Sequence, residues 1–129
     1  MKAAVLFEAN APLEVVDLEQ QGPQFGEARV RVKAAGVCHS DWHIMNGDWP
    51  VPLPMVLGHE AAGIVEEIGP GVANVAVGDH VIFSFRPHCG RCVYCSTGRS
   101  ILCDGNTSPR WGMLDGTTRL RRGNQDIFQ

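Results

Sequence analysis

Apolar and polar positions alternate most clearly in "ARVRVKAA", where Ala28, Val30, Val32 and Ala34 take turns with Arg29, Arg31 and Lys33. A period of two sends the two sets to opposite faces, so this segment is predicted to be a half-buried strand. Shorter runs of the same kind recur at "KAAVLF" (2–7), "LEVVDLE" (13–19), "AAGIVEEI" (61–68) and "DHVIFSF" (79–85), separated by turn chemistry such as "QQGPQFG" and "GPG". Many short strands joined by Gly/Pro turns predict a partly closed barrel or a sandwich. One segment breaks the pattern: "HSDWHIMNG" (39–47) predicts a helix of one or two turns, with Ser40 as its N-cap and Asn46 or Gly47 as its stop. The "DWPVPLP" that follows carries three prolines in its last five residues, which predicts a rigid extended connector outside any ladder. Further on, Asp115-Gly116 in "GMLDGTTRL" predicts a hairpin turn.

A length of 129 residues corresponds to one domain, able to bury about 65% of its unfolded surface. With 44% apolar residues, 19% charged residues and a net charge of −3, the composition excludes a disordered chain. It also argues against nucleic acid as a partner, since phosphate binding needs a clustered basic face. The one basic cluster, "RLRRG" at 119–123, reads as a solvated hairpin arm. The N-terminal "MKAAVLFEAN" has five apolar residues before Glu8, too few for a signal peptide or a membrane span. The expectation is a cytoplasmic protein with no membrane partner, in which closely spaced cysteines are metal ligands rather than disulfides.

Four of the five cysteines fall in "CGRCVYCSTGRSILC" (89–103). The spacing Cys89-x2-Cys92-x2-Cys95-x7-Cys103 lets a tight loop wrap one ion tetrahedrally, as a closed structural zinc site in a lobe spanning about 86–104. An iron–sulfur cluster is the nearest rival, but its ferredoxin pattern ends in x3-Cys-Pro, whereas Cys103 follows a gap of seven and precedes Asp104. Disulfides or free thiols are the remaining alternative. Cys38 in "CHSD" and His59 in "GHEAAG" are separately unremarkable, as a small buried hydrophobe and a satisfied polar residue. Together they offer two ligands of a zinc that keeps a position open, with Asp41 and Glu60 as supporting carboxylates. A third ligand is missing; His80 and His88 are left over, and both read better as polar residues at strand ends. "GPGVAN" (69–74) has Asn74 where a dinucleotide fingerprint needs its third glycine, and no βαβ unit follows, so it reads as a turn.

"GVCHSDWH", "PLPMVLGHEAAGIVEEIGPGV", "VGDHVIF" and the four-cysteine lobe, in this order, resemble the N-terminal catalytic domain of zinc-dependent alcohol dehydrogenases of the medium-chain dehydrogenase/reductase family. The resemblance covers nearly the whole chain, and zinc-free relatives such as the quinone reductases lack both groups of cysteines. It implies a mainly β, GroES-like partly closed barrel over 1–129, with short helices and a zinc-binding lobe. It also implies a catalytic zinc on Cys38 and His59 and a structural zinc on Cys89, Cys92, Cys95 and Cys103. In the roles it implies, Ser40 takes the proton of the alcohol and His43, one helical turn on, passes it to solvent. Asp41 hydrogen-bonds His59, Glu60 lies behind the metal, His39 sits near the cofactor pyrophosphate, and Trp49 walls the substrate pocket or simply packs beside the prolines. The implied reaction oxidises a small alcohol to an aldehyde or ketone, with hydride passing to NAD(P).

Two departures qualify the resemblance. The family's third catalytic ligand is a cysteine, and all five here are already assigned. The chain also stops at "NQDIFQ", before the family's nucleotide-binding domain. The 129-residue chain is therefore expected to be inactive by itself, with an exposed apolar face that invites self-association into a homo-oligomer. Three rival readings stay in view: a truncated, non-catalytic zinc-binding domain, a zinc-based binding module and an electron-transfer iron–sulfur protein.

Overall fold

The computed structural model describes residues 1–105 and 111–129. Among them, short strands dominate and fall into three sheets of three strands each. The first sheet has β1 (Lys2–Leu6) at its centre, antiparallel to β2 (Glu14–Asp17) on one side and β5 (Met55–Val56) on the other. The second joins β3 (Glu19–Gln20) to a hairpin of β8 (Leu120–Arg122) and β9 (Gln125–Ile127). The third pairs β4 (Ala28–Ala35) with β6 (Ala61–Ile68), which in turn pairs with β7 (His80–Ile82).

The core lies between the first two sheets, where Val5, Leu18, Leu120 and Ile127 are buried against one another and against Ala3, Phe7, Val16 and Val56. Full burial of each such aliphatic side chain contributes about 1.5–3 kcal/mol, which makes this contact the main hydrophobic anchor of the described chain. The run 13–19 is therefore two strands and not one. Leu18 is the residue at which the chain passes from the first sheet to the second, with its N–H and carbonyl both bonded to Met1 at 2.7 and 2.6 Å. A second seam ties the sheets where Val56 N–H donates to Phe128 O at 2.8 Å and Phe128 N–H to Pro54 O at 2.9 Å.

β4 departs from the half-buried strand that its alternation predicts. Val32 remains 50% exposed, and most of the strand is open on both faces. β4 shifts register against β6 between Arg29 and Val30 and again between Val32 and Ala34. Its charges are nevertheless placed as expected, with Arg29 on Glu67 at 2.6 Å and Arg31 on Glu66 at 3.0 Å.

Two turns also differ from expectation. Asp115-Gly116 makes a tight turn without flanking strands, in which the Asp115 carboxylate accepts from Thr117 N–H at 2.9 Å and pairs with Arg119. The hairpin turn lies eight residues later, at Gly123-Asn124, where Gly123 takes a φ of 59° between β8 and β9. The "RLRRG" cluster accordingly divides: Arg121 and Arg122 are on the exposed hairpin arm, whereas Arg119 is buried between Glu27 and Asp115. "GPG" is a turn as read, and its first glycine is required there, since a Cβ on Gly69 would stand 1.9 Å from Gln24 O. No helix among the described residues is long and apolar enough to cross a membrane.

Candidate metal centres

The lobe folds around its sulfurs. Cys92 caps the short helix α2 (Val93–Ser96), Cys95 lies within it, and a 3-10 turn (Ser100–Leu102) returns the chain at Cys103. Each x2 gap thus becomes a single turn, and the sulfurs of Cys89, Cys92, Cys95 and Cys103 converge within 4.8 Å of one another, with Cys92 and Cys103 at 4.0 Å. Four thiolates around zinc at about 2.3 Å stand about 3.8 Å apart, so the set fits one ion after a small contraction.

Backbone donors prepare the sulfurs for charge. Cys103 Sγ accepts from Cys89 N–H and Gly105 N–H, both at 3.2 Å, and Cys89 Sγ accepts from Cys92 N–H at 3.4 Å. The N–H groups of Cys95 and Asp104 lower the Cys92 thiol to about 6, and those of Arg91 and Cys92 lower Cys89. Partial burial and the neighbouring Cys92 push Cys95 up to about 12. Backbone donation therefore favours the thiolate at Cys92, whereas Cys95 needs a cation beside it to ionise.

The second cluster is assembled by three elements. β4 ends at Ala35, and Gly36 N–H donates to Glu60 O at 2.8 Å, which sets Cys38 beside the start of β6. Helix α1 (His39–Met45) begins directly after Cys38. Its N-cap is Cys38 and not Ser40: Asp41, at the third helical position, accepts the Cys38 N–H at 2.9 Å as the returning half of a capping box. The stop falls as read, with Asn46 as C-cap and Gly47 at a φ of 76°.

Ligand atoms of Cys38, His59 and Glu60 lie within 4.8 Å of one another. Glu60 thus comes closer than a place behind the ion implies: its carboxylate belongs to the same group of ligand atoms as Cys38 and His59. Sulfur, imidazole nitrogen and carboxylate oxygen form a donor set that suits zinc and leaves a coordination position free. Gly36 allows this arrangement, because a Cβ there would approach Glu60 Oε2 to 2.5 Å. Buried Asp41 presents its other oxygen to His59 Nδ1 at 3.6 Å, a separation for orientation and not a formed hydrogen bond.

Cys38, His59 and Glu60 line an open cleft of about 1360 Å³, whose other walls include Trp49, Phe83, Phe85 and Trp111. Ser40 also lines it, and its hydroxyl oxygen is buried with no hydrogen-bond partner among the described residues. A buried hydroxyl without a partner is costly, so this orphan marks a place for a ligand's polar atom. His43 is not bonded to Ser40; its Nδ1 meets Asp48 Oδ2 at 2.9 Å, and its ring stacks on Trp49 at 4.9 Å and lies 4.8 Å from that of His39. The exposed His39 and half-buried His43 therefore form a row of rings with Trp49. His80 and His88 are exposed and belong to neither group of ligand atoms. Gly36, Phe83, Phe85 and Asp48 escaped the sequence reading, although glycine two residues before a ligand cysteine was a usable signal.

Two groups of potential metal ligands, one at a strand end and helix cap and the other in a cysteine-rich lobe, thus sit on a mostly β frame, as in a metal-binding domain. The comparisons agree. The family profile for the alcohol dehydrogenase GroES-like domain matches residues 24–123, and the chain belongs to that family. It is similar to an NDMA-dependent alcohol dehydrogenase of Amycolatopsis methanolica, 52% identical over 126 residues, which cover 97% of this chain and 34% of that protein. The crystal structure of an alcohol dehydrogenase zinc-binding domain protein from Burkholderia ambifaria matches with a TM-score of 0.84 and 38% identity, over 97% of this chain and 34% of that one. Benzyl alcohol dehydrogenase from Acinetobacter calcoaceticus matches at 0.80 and 38%, over 98% and 34%. The chain thus spans about a third of the length of the relatives it matches.

Proposed function

We propose that this chain is the metal-binding catalytic part of a zinc-dependent alcohol dehydrogenase that oxidises an alcohol to an aldehyde or ketone with NAD(P). The observation that carries the reading is the Cys38, His59 and Glu60 set opening onto a cleft that Ser40, with its buried unpartnered hydroxyl, also lines. Cys89, Cys92, Cys95 and Cys103 would hold a structural zinc, and Cys38, His59 and Glu60 a second. A zinc ion there supplies Lewis acidity that makes an alcohol proton easier to remove near neutral pH, and the nicotinamide accepts the hydride.

The chain's own residues do the rest. Ser40 Oγ, lacking any other partner, would accept the hydrogen bond of the incoming hydroxyl and take its proton while giving up its own. His43 lies one turn further along α1, held by Asp48 and Trp49 and not bonded to Ser40, so the proton that Ser40 gives up would reach it through water on the way to solvent. Asp41 fixes the His59 ring, Trp49 walls the cleft, and His39, exposed at the start of α1, faces the cofactor's pyrophosphate. The remaining length seen in relatives would position the nicotinamide, so the 129-residue chain alone would not turn over. Exposed Ile82, Phe85 and Leu114 lead us to expect self-association of the isolated chain, which light scattering would measure.

The test is zinc per chain by elemental mass spectrometry after gel filtration in metal-free buffer. Two equivalents falling to one in Cys38→Ser is the expected result. One equivalent in the parent chain would overturn the reading in favour of a non-catalytic zinc-binding domain.

A further inference from the structure

We propose that Arg86 recognises an anionic group on the substrate, so that the alcohols this cleft prefers are apolar or aromatic alcohols bearing a carboxylate. The inference rests on the alcohol reading above and deepens it. Arg86 lines the cleft, and its guanidinium carbon stands 5.6 Å from the centroid of the Phe85 ring, a cation–π contact. The same Phe85 ring meets the His59 ring edge-on at 5.7 Å. Phe85 therefore touches both the cation and the ring of the candidate ligand His59, which places Arg86 on the cleft wall that also carries the ligand set.

Among the described residues Arg86 is the arginine that lines the cleft; Arg91, Arg99 and Arg122 also lack a carboxylate partner but lie outside it. Arg29, Arg31, Arg119 and Arg121 each hold a carboxylate at 2.5 to 3.0 Å. Arg86 has no carboxylate partner within 4.0 Å among the described residues. The cleft's own carboxylates are committed elsewhere, Asp41 to the Cys38 N–H and Glu60 to the ligand set. Packing on Phe85 explains where the guanidinium sits but leaves its charge unanswered, and a planar fork of donors at the wall of an apolar cleft suits a carboxylate.

The proposal is tested by NMR titration of the ¹⁵N-labelled, zinc-loaded 129-residue chain with 4-(hydroxymethyl)benzoate and with benzyl alcohol. Because Arg86 is exposed, Arg86→Gln keeps the fold, and its unperturbed spectrum outside the cleft verifies this. The expected result is binding of the carboxylate compound about 3- to 10-fold tighter than benzyl alcohol, the range of a partly screened ion pair with charge-assisted hydrogen bonds. That preference should vanish in Arg86→Gln and shrink at high salt. Equal affinities in the parent chain, or a preference that survives Arg86→Gln, would overturn the proposal and leave the alcohol reading standing. Shifts from neither compound near Ser40 and His59 would overturn both.

Discussion

Arg119→Met removes the most heavily paired charge among the described residues. Arg119 is 7% exposed, and its Nε and Nη2 grip the two carboxylate oxygens of Glu27 at 3.0 and 2.6 Å, across 92 residues of sequence. Nη2 also reaches Asp115 at 2.5 Å. Methionine keeps the apolar stem, so the loss comes chiefly from a Glu27 side chain, 16% exposed, that is left without its cation. Removing one partner of a fully buried pair costs about 3–5 kcal/mol; with Glu27 reaching some water, about 2 kcal/mol is expected at pH 7. Asp115 is half exposed and regains water, so it adds nothing to that figure. The pH dependence has a defined sign. Burial pushes the Glu27 carboxyl up, but hydrogen bonds from Arg119 and the Gln24 N–H outweigh it and hold the group below its ordinary 4.5. A lowered folded value means that the stabilisation is fully present above about 4.5 and is lost as pH falls through the folded value. Urea unfolding of the two proteins, followed by tryptophan fluorescence in excess zinc, should show the full gap at pH 7 and a narrowing one below pH 4.5. Comparing them at each pH cancels the zinc contribution they share. A gap under about 0.5 kcal/mol at pH 7, or one undiminished in acid, would refute the argument.

Cys103→Ser should release one zinc per chain and lower the melting temperature, because structural zinc supplies about 10–16 kcal/mol of binding free energy to such lobes; elemental analysis and calorimetry would show it. Asp41→Ala removes both the acceptor of the Cys38 N–H and the group facing His59. We expect zinc affinity at the second centre to fall about 10- to 100-fold, read by competition with a chelating dye, with the four-cysteine centre unchanged. Gly69→Ala places a Cβ 1.9 Å from Gln24 O, so the loop must move; a stability loss of about 1–3 kcal/mol by urea titration is expected.

Much of the frame was legible because its signals are local. The period of two located β1, β4, β6 and β7 to within a few residues, and the x2 spacings identified the four-cysteine lobe, since ligands that close in sequence need only a turn to meet. Errors arose where a local signal had competitors. Asp115-Gly116 has strong hairpin chemistry, yet the Asp115 side chain is recruited by Thr117 and Arg119, and the weaker Gly123-Asn124 turn sits between strands that have partners. Ser40 looked like a cap, but Asp41 reaches the Cys38 N–H, and the serine lines the cleft.

By itself, then, the sequence determined the strand-rich frame and the cysteine lobe, because hydrophobic period and ligand spacing act over a few residues. Only the tertiary structure decided which distant groups meet. It drew Glu60 beside Cys38 and His59, left Ser40 without a partner, and buried Arg119 on Glu27. Those pairings are set by sheet register and by which backbones can approach, and neither is written in any short stretch of residues.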